Sequence, residues 1–119
     1  MDRVNLIQYH DRTILHLDFS NCTEAEAEQV AHAAKREVVK HAAGSLRTLT
    51  DISGSPFNDH IVSLLKDLAR HNKIYVTAGA VVGVTGMKRI ILQAVEKFSG
   101  RTFNVCDSIE QAKDWLAAQ

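Results

Sequence analysis

Cysteine is nearly absent from this 119-residue chain: Cys22 and Cys106 are its only two. Two cysteines cannot build a disulfide scaffold, and neither lies in a CxxC, so both are expected as reduced, partly buried thiols. A surplus of one charge is missing as well. Fourteen Lys and Arg balance fourteen Asp and Glu, which gives no general pull toward nucleic acid or an anionic lipid surface. A small local patch is still compatible with that balance. No apolar run approaches the ~20 residues needed to span a bilayer, so stable membrane insertion is not expected. The start, Met-Asp-Arg-Val-Asn, carries an acid and soon turns polar, unlike a signal peptide, and the expected location is the cytoplasm. Metal-ligand spacing is lacking too. The six histidines (His10, His16, His32, His41, His60, His71) form no HxH, no HExxH and no cluster with cysteine. No metal and no cofactor are expected. With no nucleophile elbow or other catalytic order in view, the chain is not expected to be an enzyme.

What is present is the patterning of a folded α/β domain. Hydrophobic residues make up 45% and charged residues 24%, which suits one globular unit over residues 1–119. Val4 to His10 and Thr13 to Phe19 are β-rich runs separated by Asp11-Arg12, and the second alternates with the period of a half-buried strand. They predict an antiparallel hairpin. Thr23 with Glu26 forms a capping box for a first helix, whose inner stripe is Ala27, Val30, Ala31, Ala34 and Val38, with Gly44 placed to end it. Leu46 to Ile52 predicts a third strand. Ser55 is placed to cap a second helix with Pro56 at its first position, and Phe57, Ile61, Leu64, Leu65 and Leu68 share one face.

Ile74 to Val82 is apolar and β-branched, the pattern of a buried central strand. Gly83-Val84-Thr85-Gly86 then leads into a third helix with Met87, Ile90, Ile91, Ala94, Val95 and Phe98 on its inner stripe. Phe103 to Cys106 predicts a last short strand. Ser108 with Gln111 caps a final helix that turns Ile109, Ala112 and Leu116 inward, with Trp115 at the edge. The order is ββαβαβαβα, which implies a mixed, mostly parallel sheet with helices packed on it.

Three segments make this chain resemble STAS domains of the SpoIIAA-like branch, grouped with CRAL-TRIO-like lipid-binding folds. Thr48 to Phe57 resembles the third strand of those domains and the loop after it. Gly83 to Leu92 resembles their turn and following helix, and Cys106 to Leu116 their closing strand and capped helix. The resemblance implies a non-enzymatic regulatory or binding module that docks a protein partner or its own twin. In anti-sigma-factor antagonists of this kind, a phenylalanine is followed after one residue by Asp-Ser-Ser-Gly, and the first serine is phosphorylated. Here the matching stretch is Phe57-Asn58-Asp59-His60-Ile61, so His60 stands at the phosphoacceptor position. Serine works there because phosphorylation adds nearly two negative charges at the rim of a docking surface. Histidine cannot serve that chemistry, so the phosphoserine switch is expected to be lost.

Two groups of residues are candidate sites. The first is Gly83, Thr85, Gly86, Lys88 and Arg89, where a glycine-punctuated turn opens a helix. Unpaired N–H groups and the positive dipole end attract anions, whereas cations there are misplaced unless something compensates them. No acidic residue lies three or four positions from Lys88 or Arg89 to do so. A small anionic or lipid ligand is therefore the second reading, a carrier with these cations at its mouth. The second group is Ser53, Ser55, Asn58, Asp59 and His60, a candidate partner-docking loop. In a parallel sheet both groups would emerge at the carboxyl edge, where ligands gather.

Overall fold

The computed structural model describes residues 2–119. Its elements are β1 (Val4–Tyr9), β2 (Arg12–Asp18), α1 (Glu24–Val38), β3 (Leu46–Asp51), α2 (Asp59–Asn72), β4 (Val76–Val82), α3 (Lys88–Ser99), β5 (Asn104–Cys106) and α4 (Ile109–Ala117). The order is the predicted one. The strands lie side by side in chain order within one sheet, β1 antiparallel to β2 and each later neighbour parallel.

A mostly parallel sheet must be covered on both faces, and the chain covers them unequally. Crossovers of one hand that always step the same way leave their helices on one face. Accordingly Leu15, Leu17 and Val81 pack with Ala27, Val30, Ala34, Ile61 and Leu68 of α1 and α2. The opposite face, with Ile14, Leu49, Ala80 and Val82, is covered by α4 through Ala112 and Leu116. The alanine stripe of α1 is buried residue for residue as its spacing predicts.

Several local expectations are corrected. The hairpin turns at His10 and Asp11, both at positive φ (48° and 63°), so Arg12 opens β2 instead of sitting in the turn. α1 stops at Val38, and Gly44 serves the turn into β3, its N–H donating to the Ile74 carbonyl at 2.9 Å. α2 is capped by Asn58, whose side chain accepts from the Ile61 N–H at 2.9 Å. Ser55 and Pro56 lie outside that helix. The Ser55 hydroxyl is already spent on the Ile52 carbonyl at 2.8 Å, and the chain stays non-helical until Phe57 has packed against the core. In α3 only Val95 and Ser99 are fully buried, while Met87, Ile90 and Phe98 of the predicted inner stripe face outward. That helix packs on α2 and stands off the sheet, so its apolar arc is wider than the surface available to bury it.

Candidate functional site

The carboxyl ends of β2, β3 and β4 carry three loops that are bonded into one platform. Asp18 and Asp51 are register partners in the parallel β2–β3 pair, and each begins the same Asp-apolar-Ser step, Asp18-Phe19-Ser20 and Asp51-Ile52-Ser53. Each carboxylate accepts the N–H two residues on, from Ser20 and from Ser53, both at 2.9 Å, which turns the chain sharply at the strand end. The loops then bond sideways: Asn21 N–H donates to the Ser53 carbonyl and Ile52 N–H to the Val82 carbonyl, each at 2.9 Å. Buried Phe19 and Ile52 anchor the platform from below. The Asp18 carboxyl lies below the usual range. Burial pushes it up, but the Ser20 hydroxyl and N–H, with Arg3 nearby, outweigh that.

Gly83 locks the third loop onto the second. Its φ is +90°, and a Cβ placed there would sit 2.5 Å from the Ser53 backbone nitrogen. Only a residue without a side chain permits this approach. Lys88, in the first turn of α3, reaches back to the same place. Its ammonium donates to the Ile52 carbonyl at 2.7 Å and lies 5.2 Å from the centre of the Phe57 ring. The Ile52 carbonyl also accepts from Ser55 N–H and hydroxyl, so it is the hub of the β3–α2 turn. The two candidate groups are therefore neighbours in space. Ser53, Ser55, Gly83 and Lys88 meet, while Thr85, Gly86 and Arg89 stay exposed beyond them.

Asn58, Asp59 and His60 form the exposed start of α2. His60 is half exposed, with Nε2 2.5 Å from a carboxylate oxygen of Glu28 on α1. Farther along, Asp67 of α2 pairs with Lys35 of α1, and that ammonium holds the carboxyl below its usual range. These two links bridge α1 and α2 at their exposed edge, beside the apolar contact that packs the two helices together. The sequence carried no signal for either pairing. It did carry one for the platform, in the repeated Asp-x-Ser step.

Between the sheet, α2 and α3 lies an apolar cavity of about 60 Å³, lined by Leu17, Thr50, Leu68, Ile91 and Phe103 with Arg101 at one end. Ligand pockets run to about 300–1,000 Å³, so this space suits a water molecule or two and no lipid chain. Arg101 donates to the Ala69 carbonyl at 3.3 Å, lies 4.6 Å from the Phe103 ring centre, and burial lowers its pKa to about 10. It thus caps the last turn of α2. A polar cleft of about 210 Å³ beside Lys73, Thr77 and Arg101 lies at the amino end of β4, away from the platform. No group of His, Cys, Asp and Glu side chains among the described residues is arranged to hold a metal ion. Nor is any helix among them long and apolar enough to cross a membrane.

No protein-family model matches the chain, and no curated protein matches it significantly. Among solved structures, an anti-sigma-factor antagonist (STAS) domain protein from Planctomyces limnophilus is similar. The superposition has a TM-score of 0.62 at 17% identity and covers 95% of this chain and 96% of that one. At that identity the likeness speaks for architecture. With its mixed five-stranded sheet, element order and near-complete coverage, the chain has the fold of a STAS-like domain.

Proposed function

We propose that this chain is a non-enzymatic regulatory module of the cytoplasm that docks a protein partner through the carboxyl-edge platform and the start of α2. One observation carries the reading: three loops and the first turn of α3 are cross-bonded at Ile52 and Ser53 into a rigid, solvent-facing surface. Rigid loops lower the ordering cost of association, and such a surface holds Ser53, Asn58, Asp59 and His60 at fixed positions. The similar structure is that of an anti-sigma-factor antagonist (STAS) domain protein. In this reading Lys88 is a clamp within the platform, and the anion affinity of the Gly83–Arg89 turn falls to Thr85, Gly86 and Arg89. The small cavity speaks against the carrier reading. His60 takes the place of the phosphorylated serine, so docking is not switched by serine phosphorylation at this position.

Native mass spectrometry of the protein purified from its host tests this. The expected result is the bare chain or a complex with another protein. A retained small molecule would sink the docking reading. For a partner captured in that way, His60→Asp puts a fixed negative charge where phosphate would add one, and binding is expected to weaken about tenfold or more.

A further inference from the structure

Residues 61–101, which hold β4, α3 and all of α2 but its first two residues Asp59 and His60, carry seven of the fourteen Lys and Arg residues and only two of the fourteen Asp and Glu. Both acids are engaged: Asp67 with Lys35, and Glu96 by accepting the Phe103 N–H at 2.8 Å. None of those seven cations forms an ion pair among the described residues; every pair uses a cation from elsewhere. On the same side Met87, Ile90 and Phe98 are 78%, 65% and 49% exposed. Their spacing, with Ala94 between, puts them on one helical stripe about 16 Å long. Lys66 and Arg70 of α2 lie 5.8 and 5.6 Å from the centre of the Phe98 ring, and exposed Lys97 is next to it in the chain. Three cations without an ion pair, Lys66, Arg70 and Lys97, thus border an exposed apolar stripe.

We propose that the outer face of α3, with the adjoining edge of α2, docks an acidic amphipathic helix of a partner protein. Its apolar residues would cover Met87, Ile90 and Phe98, and its carboxylates would meet Lys66, Arg70 and Lys97. This inference rests on the reading of the chain as a docking module, and it assigns a second contact face and the chemistry of what covers it. Two other occupants fit less well. A second copy meeting this face with its own would oppose one cation surplus to another, which costs association free energy. An acyl layer would have to admit the Phe98 ring with two cations lying over it, whereas interfacial helices keep their charges on the other face. A helix with a carboxylate border meets both the ring and the cations.

A fluorescent synthetic peptide of about 18 residues, a leucine stripe with glutamate elsewhere, serves as the probe. Titrated with the full chain, it is expected to bind, to weaken as salt rises, and to lose tenfold or more in affinity with Ile90→Asp. A peptide with lysine in place of glutamate is expected not to bind. Ile90 is exposed, so the variant keeps the fold, and circular dichroism checks that. His60→Asp should leave peptide binding unchanged, which separates this face from the platform. Equal binding of the two peptides, no binding of the acidic one, or indifference to Ile90→Asp overturns the proposal. So does co-sedimentation with phosphatidylserine vesicles that Ile90→Asp abolishes, or a dimer that the same variant dissociates.

Discussion

Gly83 is where the platform closes, and its demand is steric on two counts. A positive φ of 90° disfavours any side chain, and a Cβ would press on the nitrogen and Cα of Ser53 at 2.5 and 2.7 Å. Backbone cannot step aside as a side chain tip can. Gly83→Ala is therefore expected to cost roughly 2–4 kcal/mol, strain and overpacking together. Gly86 also has positive φ (55°), but open space surrounds it, so Gly86→Ala should cost only about 1–2 kcal/mol. Urea denaturation of both variants checks the difference, and equal losses would mean that Gly83 answers to conformation alone. In sequence the two glycines looked alike. What separates them is Ser53, thirty residues away and invisible to local pattern. Lys88 teaches the same lesson: a cation in a first helical turn did announce a compensating partner, but that partner is the Ile52 carbonyl.

Elements were legible where one signal acted alone. The capping box of α1, its alanine stripe and the Ser108 cap of α4 all stand where spacing put them. At the start of α2 the sequence places Ser55 as the cap, whereas Asn58 caps it in the structure, and local chemistry favours the two residues about equally. Tertiary structure chose, because Ser55 is needed at the Ile52 carbonyl and Phe57 must reach the core before a helix can begin. Asn58→Ala is expected to cost about 1 kcal/mol and to speed hydrogen exchange at the Ile61 amide, which it alone caps. Ser55→Ala should cost a similar amount while leaving Ile61 protected. If exchange at Ile61 rises in both, the two residues act as one cap. The outward turn of Met87, Ile90 and Phe98 was not legible, because periodicity reports an apolar arc and not how much of it a neighbour can cover.

At the scale of the molecule, zero net charge conceals segregation, and acid should reveal it. Four carboxyls sit below their ordinary range in the folded chain. Asp18 does so against the effect of burial, through Ser20 and Arg3; Glu26 through the Thr23 N–H and hydroxyl; Glu37 through His41 and Lys40; Asp67 through Lys35. A carboxyl with a depressed folded pKa binds its proton more readily once unfolded, so stability rises with pH through that range. The stabilisation is complete above the unfolded value, about 4, and is lost as pH falls toward the lower folded values. The unpaired cations of α2 and α3 are charged throughout, and each carboxylate that protonates leaves more of their repulsion uncompensated. Melting temperature is therefore expected to be flat between about pH 7 and 5 and to fall below about 4. Asp18→Asn should be less stable at neutral pH, because it replaces a carboxylate that accepts both Ser20 groups beside Arg3. It should also lose less on acidification. Thermal melts of both proteins from neutral to acid decide this: parallel curves would remove Asp18 from the account and leave the acid response to Glu26, Glu37, Asp67 and the cation surplus.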